Sequence, residues 1–258
     1  MVFAVAFKPF DPDGRIVPGW TLESLAGLAN PNYPAIIWRT VWLSVACTAL
    51  SLLLATPVAY SIARARAWKQ NLLLLIILPF WTSFLIRIFA WKLLLHPDGL
   101  IKQLLVTVGL AEPQTILLYR PEAVLLVLVY TSLPFAILPL YAASDKFDFS
   151  LLEAARDLGA SPLGAFFRVF LPGISRGIFT ALLMVLIPAL GAYVIPDVVG
   201  GNQAEMIGNK IAQRTFNDRN LPHASGLSAL LTLVVLLPLL LRSTLQLFRP
   251  ESRMAAQK

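Results

Sequence analysis

Histidine and cysteine are almost missing from this chain. Its 258 residues include two histidines, His96 and His223, and one cysteine, Cys47. A lone cysteine forms no internal disulfide and cannot hold zinc without partners of its kind. Cys47 lies inside an apolar run and reads as a buried helix residue. Both histidines fall in predicted external loops and read as interfacial residues rather than catalysts. No HExxH pattern occurs, and no carboxylate pair lies inside an apolar run, so a membrane-embedded enzyme lacks its usual groups. The phosphate-cradling GxxxxGK[ST] loop is also missing, so ATP must bind elsewhere if this protein uses it. Charged residues make up 14% of the chain, against about 25% in a soluble domain. No ten-residue alternation recurs, which argues against a membrane β-barrel. No repeat, low-complexity tract or interdomain linker stands out.

What is present is apolar: 57% of residues are hydrophobic and the mean hydropathy is +0.72. A spanning helix needs roughly 20 mostly apolar residues. Five segments qualify: about 36–63, 71–95, 122–143, 177–199 and 226–248. The expectation is an all-α membrane protein, one transmembrane domain over 1–258, with lipid as its first partner. The net charge is +7, but nucleic-acid binding needs basic residues clustered on a soluble surface. Here they flank the apolar runs. Arg64, Arg66 and Lys69, then Lys146, Arg156, Arg168 and Arg176, then Arg249, Arg253 and Lys258 share one side if five spans alternate. Lys102, Arg120, Lys210, Arg214 and Arg219 are sparser on the other. The denser side is assigned to the cytoplasm. The first 35 residues then lie outside. Met1–Phe7 is apolar but too short to span, and Thr21–Asn30 could form a short surface helix.

The loop at about 145–176 breaks the membrane pattern with EAARDLGASPLGAFFRVFLP. Ser150 and Glu153 have capping-box spacing and should start a helix. Leu151, Leu152, Ala155 and Leu158 give it an apolar side. Gly159 is placed to end it with a left-handed residue. Ser161 and Pro162 suit the N-cap and first position of a second helix. Leu163, Phe166, Phe167 and Phe170 supply its apolar side, and Pro172 should stop it. Ala154 and Ala155 keep one surface flat enough for close approach. On pattern alone the loop could equally rest on lipid.

The spacing Glu153-Ala154-Ala155, Gly159, Val169, Leu171, Pro172 resembles the signature loop of permease subunits of binding-protein-dependent ABC importers. Val169 stands where that family often has isoleucine. Ile77–Trp91, Leu133–Ser161 and Ile187–Ile211 look like spermidine/putrescine importer permeases. The resemblance runs from about Trp20 to Phe248 and implies a type I importer permease fold, usually of six spans, with the loop as a cytoplasmic coupling helix. It implies a bacterial inner-membrane location, an ATPase dimer that binds ATP and Mg²⁺, a second permease subunit and an external substrate-binding protein. This chain itself is expected to hold no cofactor or metal. It also implies a polyamine as solute, with an opine, iron or sulfate as alternatives within the same class.

Substrate-path candidates come from the fourth segment. Pro188, Gly191 and Pro196 should disturb its helix. Tyr193 and Asp197 lie four apart, hence on one face, and offer an aromatic face and a carboxylate to an organic diammonium. Asp197 could instead cap the external helix end, with Tyr193 in the interfacial aromatic belt. Trp81, Tyr130 and Tyr141 are further candidates, although aromatics are also ordinary packing. Arg87 would repel a polyamine in the path, so it should face a protein partner or carboxylate; for an anionic solute it would become the leading ligand. Lys92 should snorkel to the interface.

Overall fold

The computed structural model describes residues 2–11, 17–22, 30–65, 67–110, 112 and 114–247, and side chains of the last helix to 234 and at 236. Among the described residues there is no β-strand. The helices are α1 (Val2–Val5), α2 (Tyr33–Arg64), α3 (Lys69–Trp81), α4 (Phe84–Leu94), α5 (Leu100–Thr107), α6 (Pro121–Asp145), α7 (Ser150–Asp157), α8 (Pro162–Gly173), α9 (Ser175–Leu190), α10 (Ile207–Ala212) and α11 (Leu221–Leu247). They divide into two compact units, residues 36–206 and residues 1–35 with 207–258. Arg66, Arg249, Arg253, Lys258 and positions 23–29 of the expected surface helix lie outside the described residues; Thr21, Leu22 and Asn30 are not helical.

Among the described residues two helices are long and apolar enough to cross a membrane, α2 and α6, and up to four if each bent pair is one span. The 32 residues of α2 reach about 48 Å at 1.5 Å per residue, more than the roughly 30 Å hydrocarbon core. Its hydroxyls bond back along the helix: Thr40 to the Ile36 carbonyl, Thr48 to Ser44 and Thr56 to Leu52. This satisfies polar groups where lipid offers no partner. Ser44, Cys47, Ser51, Ala55 and Ala59 are fully buried along one face, which lets neighbouring helices approach closely. As expected, Cys47 is buried; it contacts Ser132 of α6. Trp38, Trp42, Leu53 and Leu54 are exposed and form an apolar surface suited to lipid.

The segment expected as one span over 71–95 is bent by 86° between α3 and α4. The reason lies in the LPFW turn. Pro79 tightens it into a 3₁₀ turn, Leu78–Trp81, and Thr82 is extended with its hydroxyl on the Pro79 carbonyl. Proline supplies no N–H to the preceding turn, so the helix ends there.

In residues 36–206 the most extensive helix packing is α6 against α9. Gly177 sits against Ala143 and the Pro139 carbonyl, where an added Cβ would collide. Val124, Val127, Ala136, Leu140, Ala181 and Val185 fill the interface and adjoining core.

In the other unit α1 packs on α11. The segment expected as a span over 226–248 falls on α11, which starts five residues earlier. His223, expected as an interfacial loop residue, is instead buried in the first turn of α11, with Nε2 2.8 Å from the Tyr33 hydroxyl. An Asn-Leu-Pro start at Asn220 explains this, since the Asn220 side-chain oxygen accepts the His223 N–H. His96 is exposed beside Asp98, as a loop residue should be.

Candidate functional site

The signature loop folds as two helices around a glycine corner. Gly159 has φ +90°, and a Cβ there would meet nothing within 4 Å. Glycine is therefore required by backbone conformation, not by space. The Ala160 N–H reaches the Ala155 carbonyl and the Gly159 N–H reaches Arg156, the paired bonds of a Schellman ending. Ser161 caps α8, its Oγ accepting the Gly164 N–H at 3.1 Å, and Pro162 follows in the first turn.

Two details differ from the sequence expectation. Ser150 is the first residue of α7 rather than its cap. Asp148 takes that role, its carboxylate accepting the Ser150 N–H at 3.0 Å. The Ser150 hydroxyl and N–H together hold the Asp148 carboxyl below its usual range. A charged acceptor makes the stronger cap, so the capping box loses to it. Nor does Pro172 stop the second helix. The stretch Phe166–Phe170 winds as a π turn, with the Leu171 N–H on the Phe166 carbonyl, and α8 runs on to Gly173. The chain then bends by 72° into α9.

The apolar side of the loop is divided. Leu152, Ala165 and Phe170 are buried, while Leu151, Leu158, Leu163 and Phe167 are exposed, Leu158 at 90%. Glu153, Ala154 and Pro172 are also exposed, and Ala155, Val169 and Leu171 are half-buried. Lys69 pairs with Asp145 at the base of the loop, and the Tyr141 ring lies 5.5 Å from its ammonium. Between the loop and the end of α2 is a cavity of about 150 Å³ bordered by Tyr60, Arg64, Glu153, Arg156 and Phe166.

The path candidates do not converge. The fourth segment does break, but at Gly191–Tyr193, while Pro188 stays inside α9. Beside the break is a groove of about 220 Å³ whose lining includes Phe84, Thr131, Phe135, Met184 and Tyr193. Asp197 is the second residue of the next helical turn, Pro196–Gly200, with its N–H on the Tyr193 carbonyl at 3.0 Å. Both side chains are exposed, but Asp197 does not line the groove. Tyr130 instead packs with Phe80 and Trp91 at 5.7 and 5.3 Å. Trp81 is 78% exposed, and Tyr141 sits with Lys69. The sequence reading missed Phe135 and Met184. Each lies four residues before a proline, Pro139 and Pro188, so each carbonyl lacks its helical donor; that signal was available.

Arg87 does not meet the expected carboxylate among the described residues. Its guanidinium lies 4.4 Å from the Phe80 ring centre and 6.0 Å from Phe84. Its Nε and Nη1 are buried without hydrogen-bond partners. Lys92 is half-buried. No group of three or more histidine, cysteine or acidic residues able to hold a metal occurs among the described residues.

Comparison with known proteins follows this geometry. The family model described as "binding-protein-dependent transport system inner membrane component" matches residues 49–249. The spermidine/putrescine transport system permease protein PotB of Haemophilus influenzae is 38% identical over 238 residues, covering 92% of this chain and 83% of that one. PotB of Escherichia coli K12 is 35% identical over 241 residues, covering 93% and 88%. The E. coli inner membrane ABC transporter permease protein YdcU is 34% identical, covering 82% and 71%. Among solved structures, a bacterial ABC transporter that imports alginate superimposes with a TM-score of 0.67 at 18% identity, over 90% of this chain and 86% of that one. At that identity the likeness concerns the fold. The signature loop, the helical architecture and the relatives agree: the chain belongs to the binding-protein-dependent transport system inner membrane component family, the permeases of ABC importers.

Proposed function

We propose that this chain is the permease through which a polyamine crosses the inner membrane, driven by ATP hydrolysis on a partner. The carrying observation is the identity of 38% and 35% to spermidine/putrescine permeases along more than nine-tenths of this chain. The chain works without an ATPase site of its own. An ATPase dimer binds ATP and Mg²⁺ and seats on the coupling loop, which Glu153, Ala154, Ala155, Gly159, Val169, Leu171 and Pro172 shape on the cytoplasmic side. A second permease subunit completes the path, and an external binding protein delivers the solute. The exposed row of Leu151, Leu158, Leu163 and Phe167 supports a protein-covered loop. Such residues gain about 25 cal/mol per Å² of apolar surface removed from water.

The path runs past the groove beside the Gly191–Tyr193 break, with Tyr193 and Phe135 offering ring faces to an alkyl diammonium and Asp197 a carboxylate outside it. Arg87 supports a cationic solute rather than an anionic one, because its guanidinium is turned onto Phe80 and does not line the groove. The test is ATP-dependent uptake by the assembled complex in proteoliposomes, with labelled spermidine, putrescine, sulfate, an opine and iron. Spermidine- and binding-protein-stimulated uptake is expected. Uptake confined to sulfate, the opine or iron would refute the polyamine reading but leave the permease role intact.

A further inference from the structure

The end of the first long helix meets the coupling loop through Tyr60 and through Arg64, whose guanidinium lies 5.9 Å from the Phe149 ring centre. Tyr60, near the end of α2, meets Phe149 at 5.8 Å, Phe166 at 5.5 Å and Phe170 at 4.9 Å between ring centres. All three contacts are edge-to-face, with interplanar angles of 68°, 82° and 81°, the favoured geometry for aromatic pairs. Phe149 precedes α7, whereas Phe166 and Phe170 belong to α8. One ring therefore bridges both arms of the loop, on either side of the Gly159 corner. The π turn contributes to this arrangement. An inserted residue re-aims a helix face locally, and here Phe166 and Phe170 stack on each other at 5.1 Å while both meet Tyr60. Arg64 fixes the other end of the tyrosine, its Nη1 donating to the hydroxyl at 2.8 Å. Along the chain itself the loop reaches α9 through the 72° corner at Ile174.

We propose that Tyr60 is the positioning residue that carries coupling-loop movement into α2, so that ATP-driven displacement of the loop moves the first long helix directly. The assignment rests on the proposed ATP-driven transport. Packed cores switch between discrete arrangements rather than deforming continuously, and a ring held by three partners on both loop arms must move with them. Removing the ring lets the loop move while α2 lags.

The test compares Tyr60→Leu and Tyr60→Phe in the full complex in proteoliposomes, measuring solute taken up per ATP hydrolysed. Tyr60→Leu should lower that ratio about tenfold, the change equivalent to losing one or two edge-to-face pairs. Binding-protein-stimulated hydrolysis should continue. Tyr60→Phe keeps the ring and loses only the bond from Arg64, so it should retain a ratio near the parent's. A merely structural role would lower complex abundance, with uptake and hydrolysis falling together at a constant ratio; that result overturns the proposal. So does an unchanged ratio in Tyr60→Leu at parental abundance. A parent complex with no ATP-dependent uptake would overturn the transport reading, and this assignment with it.

Discussion

Replacing Gly159 by alanine or valine separates backbone conformation from packing. The φ of +90° lies where side chains are strained, and no atom comes within 4 Å of an added Cβ. The whole cost is therefore conformational. An L-residue held in the left-handed region costs roughly 1–2 kcal/mol, and a β-branched one more. That corresponds to about a 5- to 30-fold loss in the fraction of loops with the correct corner. No helix outside the loop is touched, so Gly159→Val should reach the membrane at parental abundance. It should assemble poorly with the ATPase or hydrolyse ATP without uptake. Gly159→Ala should do the same more weakly. Gly109 is the matched control, with φ +76° and open space around its Cβ, but it lies in the loop after α5. Gly109→Ala bears a comparable backbone penalty and should leave uptake per ATP unchanged. The assay is labelled-solute uptake and phosphate release by the same proteoliposomes. Normal coupling by well-expressed Gly159→Val would refute the claim that this corner shapes the docking loop.

Gly177→Ala puts a Cβ onto Ala143, and such overpacking typically costs about 1–3 kcal/mol; a lower thermal midpoint of the detergent-purified complex is expected, and an unchanged midpoint would mean α6 and α9 separate freely. Asp148 has a depressed carboxyl pKa, so its cap stabilises α7 above the ordinary aspartate range and is lost as pH falls through the depressed value. Hydrogen-exchange protection of α7, taken relative to the intrinsic exchange rate at each pH, should fall in acid in the parent and depend less on pH in Asp148→Asn; equal acid sensitivity of the two would remove Asp148 as the cause. Asp197→Asn is nearly isosteric and should reduce spermidine uptake at equal abundance by about ten- to a hundredfold, the scale of one hydrogen bond to a charged group. Unchanged spermidine uptake would take Asp197 off the path.

The sequence by itself determined the membrane class, the approximate places of most long helices and the architecture of the loop. These features are local. An apolar run of sufficient length must be helical in lipid because its backbone has no other partners. Gly159 and the Ser161–Pro162 pair act within a few residues of themselves, so the corner and the second cap could be read directly. Asp148 was equally local and was passed over for the capping-box pattern. Pro79 likewise announced the 86° bend, but composition alone made that stretch look continuous. The tertiary structure decided what depends on residues distant in sequence. It separated Tyr130, Trp81 and Tyr141 into different surroundings, brought Phe84, Phe135 and Met184 beside Tyr193, and buried His223 against Tyr33. It turned Arg87 onto Phe80 and gathered Phe149, Phe166 and Phe170 around Tyr60. An aromatic ring's partner is set by which helices pack and at what angle, and that follows from close approaches such as Gly177 on Ala143, not from the spacing along any one helix.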